Sequence, residues 1–165
     1  MAFEMKKLEN LALLIASHPK VQKLGQTKLY KLIFYCDVTH LREYGESITR
    51  SEYIKYQFGP VPSRAEKALK HLKKENALDV TRKVLDKTGD IEMIEIKAHR
   101  KPDRSLFTKE EMATVNLVAE KLGKVSAVQL SDLSHKEPAW IEADMHEKLD
   151  PELMFYGQEE DSDGL

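Results

Sequence analysis

Apolar residues recur at spacings of three and four near the start of the chain. Met5, Leu8, Leu11, Ala12 and Ile15 share one face of a helix predicted over Phe3 to Ser17. Pro19 in "SHPK" breaks it. A second helix, predicted from about Thr27 to Glu43, has a different character. Leu29, Tyr30, Leu32, Ile33, Phe34, Tyr35, Cys36, Val38 and Leu41 cover most of its circumference. A helix apolar nearly all round belongs in the middle of a domain. "EYGES" ends it, with Gly45 expected in the left-handed conformation of a helix C-terminus. The period then changes to two: Ile54, Tyr56 and Phe58 alternate and predict a short strand. "FGPVPS" follows, where Pro60 and Pro62 bias the residues before them towards extended geometry. Ser63 and Glu66 spell an S-x-x-E capping box, which predicts a helix from Ser63 to near Asn76 with Ala65, Ala68, Leu69 and Leu72 on its buried face.

From Asp79 to Ala98 the period is again two. Val80, Arg82 and Val84 alternate before "DKTGD", and Ile94, Ile96 and Ala98 alternate after it, predicting a β-hairpin. "HRKPDRS" reads as a linker. Thr108 with Glu111, and Ser126 with Gln129, form two further capping boxes. The first opens a helix carrying Met112, Val115, Val118 and Leu122; the second opens a short one through Leu130 and Leu133. Pro138 starts another, with Trp140 expected as a large core anchor. The predicted fold class is mainly α with a small antiparallel sheet, a compact α+β domain with a winged-helix-like layout in the middle. One domain is expected over residues 1–150, followed by an acidic, flexible tail over 151–165.

Composition narrows the function classes. The 165 residues are 41% hydrophobic and 33% charged, the balance of an ordinary globular protein. The single cysteine, Cys36, excludes an internal disulfide and a cysteine-rich zinc site. No apolar run approaches the ~20 residues of a membrane helix, and "MAFEMKKLEN" has no signal-peptide core. A cytoplasmic protein with no membrane partner is expected. Net charge is −2, unevenly spread. Residues 1–63 hold nine Lys/Arg against six Asp/Glu, residues 64–104 twelve against eight, and residues 105–165 five against fourteen. Such asymmetry suits either two surfaces with different partners or complementarity within the fold.

Candidate chemistry is thin. Cys36, Asp37 and His40 lie within one helical turn, but no further metal ligand stands at a recognisable spacing. His18, His71, His99, His135 and His146 are scattered singly. Burial in an apolar helix makes the Cys36 thiol inert. Asp37 on that helix must reach the surface or find a partner: it is either an acid at a concave site or, the commoner case, part of a structural network. Ser134 and His135 are adjacent, which does not make a triad, and no G-x-S-x-G, G-x-G-x-x-G or G-x-x-x-x-G-K-[ST] occurs. No enzymatic activity, cofactor or metal is expected. Arg64, Lys67, Lys70, Lys73 and Lys74, with Arg82, Lys83 and Lys87 in the hairpin, could meet nucleic-acid phosphates or form a solvated basic face.

Three stretches together resemble one family. "TKLYKLIFYCDVTHLREYGESIT" is similar to the K-L-x-K-L-x-Y-x-x-D … G-x-x-I-T opening of the Panacea domain, also called the SocA-like antitoxin or GepA domain. "SEYIKYQFGPVPS" matches its aromatic strand and Gly-Pro-Val corner, and "LSDLSHKEPAW" its Ser/His pair shortly before a Trp. The resemblance runs over about residues 5–142. It implies a non-enzymatic antitoxin that neutralises a cognate toxin, encoded beside it, by direct protein–protein binding. It also implies two settings known in the family: delivery of the toxin to a ClpXP-type protease by a proteolytic adaptor, and carriage on prophages or mobile elements. The family-motif and candidate partner-binding positions are Lys28, Lys31, Asp37, Gly45, Tyr56, Phe58, Gly59, Pro60, Val61, Ser134, His135 and Trp140. A winged-helix-like nucleic-acid-binding regulator is the alternative.

Overall fold

The computed structural model describes residues 2–84, 88 and 92–157. Helices α1 (Ala2–Ser17) and α2 (Gln26–Tyr44) lead into a tight hairpin of β1 (Tyr53–Tyr56) and β2 (Gly59–Pro62). Helix α3 (Ala65–Lys74) and a second hairpin, β3 (Leu78–Val84) with β4 (Glu92–Ala98), follow. A single 3-10 turn, Arg104–Leu106, precedes α4 (Lys109–Leu122), α5 (Ala127–Ser134), α6 (Pro138–Glu142) and α7 (Pro151–Tyr156). Both sheets are two-stranded and antiparallel, Tyr53 facing Pro62 in one and Leu78 facing Ala98 in the other. The α+β class expected from the pattern is the observed one, including the succession of helix and hairpin in its middle.

Helix α2 is the axis of the domain. Every residue from Lys28 to Val38 is buried, as its all-round apolarity requires. Around it pack α1, α4, α5 and α7 with the edges of β2 and β4. Leu11, Leu29, Phe34, Val38, Leu72 and Leu130 meet there with no exposed surface. Burying each such side chain contributes on the order of 2 kcal/mol. Gly45 closes the helix in the left-handed conformation, φ 83°, its N–H donating to the Leu41 carbonyl. The capping boxes at Thr108 and Ser126 form as read, each with both reciprocal hydrogen bonds.

Four expectations change. The Ser63–Glu66 capping box does not form: α3 starts at Ala65 behind Arg64, with no side-chain cap. The Ser63 N–H is instead committed to the Glu52 carbonyl, so Ser63 closes the first hairpin rather than opening the helix. Phe58 is not a strand residue but the second residue of the turn, and "GPVP" is itself the return strand. Trp140 is not enclosed in the core; it lies half-buried at its margin, for a reason given below. Finally, "PELMFY" forms α7, with Asp150 capping the Glu152 N–H and Met154 buried. The tip of the second hairpin and the acidic stretch from 158 onwards lie outside the described residues.

One polar contact ties the flank of the domain together. His71 on α3 meets the buried Glu9 carboxylate of α1 through Nδ1 at 2.5 Å, and Glu75 through Nε2 at 3.4 Å. Arg100 approaches the same Glu75 oxygen. Glu9, first by its hydrogen bond and then by its charge, raises the His71 pKa. A raised folded pKa stabilises the fold below the unfolded histidine value of about 6.5, and that contribution disappears as pH rises through the folded value. The melting temperature of the wild-type chain should therefore fall with increasing pH from about 6 upwards, and His71→Gln should flatten that slope. Identical pH profiles for the two proteins in a thermal melt would remove the proposed α1–α3 latch.

Candidate functional site

Two buried lysines and a buried carboxylate project from α2, and each is answered by an irregular segment. Lys28 Nζ donates to the carbonyls of Gln22 at 2.5 Å and Gly123 at 2.6 Å, joining the α1–α2 connection to the end of α4. Burial, with Lys23 nearby, lowers its pKa. Lys31 Nζ donates to the Pro60 carbonyl at 2.9 Å, and burial lowers its pKa to about 8. Asp37 accepts from the Thr49 N–H at 2.8 Å, the Thr49 hydroxyl at 2.5 Å and the Tyr53 hydroxyl at 2.5 Å. Burial raises its pKa while those bonds oppose the rise. Asp37 is thus a structural anchor that fastens the 45–53 connection to α2, not an acid facing a cleft. His40 is engaged by Thr114 at 2.9 Å, and burial pushes the Cys36 thiol up.

The first hairpin is seized from several sides. Along the free side of β1, the 146–149 segment supplies main-chain bonds: His146 N–H to the Lys55 carbonyl, Lys55 N–H to Glu147, and Leu149 N–H to Tyr53. At the turn, His135 Nε2 lies 3.0 Å from the Gln57 carbonyl and Trp140 Nε1 donates to the Tyr56 carbonyl at 3.0 Å. His135 and Trp140 stack with ring centroids 4.2 Å apart, and Lys55 Nζ lies 4.1 Å from the Trp140 centroid. Trp140 must stay near the surface to reach that carbonyl, which is why it is not a core residue. At the back, Gly59 adopts φ 124° against Lys31 and Ser134; a Cβ there would collide with Lys31 Cε and Ser134 Oγ. Ser134 itself is fully buried, its hydroxyl donating to the Ser131 carbonyl.

This geometry divides the candidate positions into two groups. Lys28, Lys31, Asp37, Gly59, Pro60 and Ser134 are buried, with Val61 half-buried, and Gly45 is exposed far along α2 at its C-terminus. Lys31, Gly59, Pro60, Ser134, His135 and Trp140 converge on one corner. What that corner presents outward is Tyr56, 42% exposed, and Phe58, 58% exposed at the turn. A hollow of about 290 Å³ between Tyr30, Tyr56, Phe58 and Val61 lies on one side of Phe58. Another of about 440 Å³ lies on the other, between Phe58, Ala127, Val128 and His135. Val128, 71% exposed, and Asp132 belong to this surface and were not among the positions expected from the sequence. The signal available was a valine in the first turn of a helix whose core face lies elsewhere.

Ser134 and His135, adjacent in the sequence, point to different carbonyls: Ser134 to Ser131 within its own helix and His135 to Gln57 at the hairpin turn. Among the described residues, Glu9, His71 and Glu75 bring three ligand atoms within 4.8 Å of one another, but this is the ion-paired latch shared with Arg100. No helix among the described residues is long and apolar enough to cross a membrane.

Two outcomes follow for the corner and the anchor. Gly59→Ala should cost roughly 2–5 kcal/mol, adding collision with Lys31 and Ser134 to the strain of positive φ. Gly45→Ala, at positive φ with open space around it, should cost about 1–2 kcal/mol. Equal losses in urea unfolding would mean that packing behind Gly59 contributes nothing. Asp37→Ala leaves the buried Thr49 N–H and Tyr53 hydroxyl without their acceptor, while the Thr49 hydroxyl keeps Ser51, and should cost about 3 kcal/mol or more; a loss under about 1 kcal/mol would show that the anchor is dispensable.

The family model described as "Antitoxin SocA-like, Panacea domain" matches residues 29–141. That span holds Lys31, Asp37, the whole hairpin, and the Ser134–His135–Trp140 support. No curated protein and no solved structure matches the chain.

Proposed function

The chain belongs to the antitoxin SocA-like, Panacea domain family, and from that premise we propose that it neutralises a cognate toxin by direct protein–protein binding through the tip of the first hairpin. The observation that carries this reading is the fixed corner. Family-motif side chains from α2, α5 and α6 hold Gln57, Tyr56 and Pro60 by their carbonyls, while Tyr56 and Phe58 stand outside. A recognition surface ordered before binding loses less freedom on association, so more of its contact energy appears as affinity. Exposed aromatics on a rigid support are the residue type that dominates interface energetics. No catalytic step is needed for this activity, and the protein acts as a non-enzymatic, cytoplasmic binding partner. Delivery of the bound toxin to a Clp-type protease is a further use of the same surface, and a prophage or mobile element is a setting that suits such a pair.

Direct binding is favoured over nucleic-acid regulation by the state of the basic helix. The exposed lysines of α3 are interleaved with Glu66 and Glu75: Lys70 pairs with Glu66 at 3.0 Å, and Glu75 is shared by His71 and Arg100. These carboxylates offset part of the field that phosphates would meet. DNA binding with a steep salt dependence, lost on reversing Lys70 and Lys74, would replace the antitoxin reading with a regulatory one.

The deciding experiment is co-expression with the product of the adjacent gene. Growth arrest by that product alone, relieved by the wild-type chain, is the expected result. Phe58→Ala should weaken the complex by about 2 kcal/mol and lose protection, with an unchanged melting temperature because the ring is outside the core. A neighbour that is harmless alone, or that stays toxic beside the wild-type chain, refutes the reading.

A further inference from the structure

The two hollows beside Phe58 share that ring and Thr27, so Phe58 is the ridge of a single saddle rather than the wall of two unrelated sites. Resting on the antitoxin reading above, we propose that this saddle recognises a linear segment of the toxin with two apolar side chains, one for each hollow, flanked by lysine or arginine. The apolar requirement comes from the walls. Tyr30, Tyr56 and Val61 line one hollow, and Ala127 with the highly exposed Val128 lines the other. Two side chains seated astride a fixed ring desolvate it on both faces, which a single inserted residue cannot do.

The basic requirement comes from the rims. Asp132 stands at the edge of the Val128 hollow; Glu66, paired with Lys70, stands at the edge of the other, where Lys31 turns its Nζ to the Pro60 carbonyl. Counting Asp132, residues 127–156 carry seven carboxylates against two lysines, a net charge of −5, with Glu137 among them paired to Arg42. A cationic segment is drawn to this field and an anionic one is repelled. The same sign argument excludes two other occupants. A second copy would bring the same acidic flank against its twin, and residues 158–165, with four carboxylates and no lysine or arginine, carry the wrong charge.

The test uses overlapping 15-residue fluorescent peptides covering the product of the adjacent gene, titrated with the full chain by fluorescence polarisation. Binding should be confined to peptides with two apolar side chains and a neighbouring lysine or arginine. Phe58→Ala and Val128→Asp should each weaken it by about tenfold or more, and Asp132→Lys by several-fold with a loss of salt sensitivity. All three positions are exposed, so circular dichroism and melting temperature should stay at wild-type values. Peptides that bind the three variants as tightly as wild type, or a preference for acidic peptides, overturn the proposal. So does the absence of any binding peptide when the intact product is still neutralised, and so does a dimer in size-exclusion chromatography that Phe58→Ala abolishes. Co-expression reports separately: neutralisation by the wild-type chain that survives all three substitutions leaves the antitoxin reading standing and removes only the saddle.

Discussion

Three ionisable groups on one buried helix must each be matched by a polar partner, and the rest of the structure is arranged around that demand. Taking a charge out of water without hydrogen bonds is far more costly than the whole stability of a domain this size. Helix α2 therefore cannot be covered by apolar surfaces alone. Lys28 requires the carbonyls of Gln22 and Gly123, Lys31 requires that of Pro60, and Asp37 requires Thr49 and Tyr53. None of these partners lies within a helix interior, where carbonyls and amides are already paired. Each charge thus selects a loop or a sheet edge, and three irregular segments are drawn onto one axis. The desolvation cost that makes the groups dangerous also makes the attachment specific, since a loop that drifts away strands a charge.

The Lys31 attachment has the most functional consequence. It acts on a hairpin of ten residues, Tyr53 to Pro62, which would be marginal by itself. Lys31 holds the hairpin from below, His135 and Trp140 hold the turn from the side, and residues 146–149 complete the edge of β1. Pro60 and Pro62 contribute by what they lack. With no N–H to offer, they leave β2 with fewer donors to be satisfied where it packs against α2 and α5. Gly59 allows the chain to pass so close to Lys31 and Ser134 that any side chain would force them apart. Order at the Phe58 turn is thus produced by buried residues, Lys31 and Ser134 among them, together with the half-buried His135 and Trp140.

Legibility in the sequence followed the range of the interactions. Helices α1, α2 and α4, the second hairpin, and the caps at Thr108, Ser126 and Gly45 are governed by neighbours a few residues away, and the pattern reports them correctly. The cap expected at Ser63 failed because a tertiary claim on its N–H, from Glu52, outranked the local one. The return strand at "GPVP" was hidden because two prolines and a glycine are poor strand formers, and only packing against α2 makes them one. Helix α7 is six residues long, too short for a period to show. At the site, the motif positions were readable through the family resemblance, yet their sorting into supports and surface was not. Ser134 and His135 read alike in the sequence, and only the fold gives one a buried carbonyl and the other the turn. Val128 and Asp132 were missed because the one local signal, a valine off the Leu130 face of a short helix, does not say what surface it joins.

That sorting has a mechanical corollary. Most supports are buried and the contact surface is exposed, while Lys31, Gly59 and His135 both hold the tip and border the hollows. Substitutions at Lys31, Gly59 or Ser134 act on whether the hairpin tip is held; substitutions at Phe58, Val128 or Asp132 act on what the tip fits. On the proposed reading, exposed side chains of such a scaffold can be exchanged to suit a different partner while the buried charges that order it stay in place, since additivity holds for groups that share no partners. Sites built from catalytic constellations do not have this freedom, because their supports and their reactive groups are coupled through the same hydrogen bonds. A recognition surface mounted on a charge-stapled corner is therefore well suited to the proposed task of matching a partner.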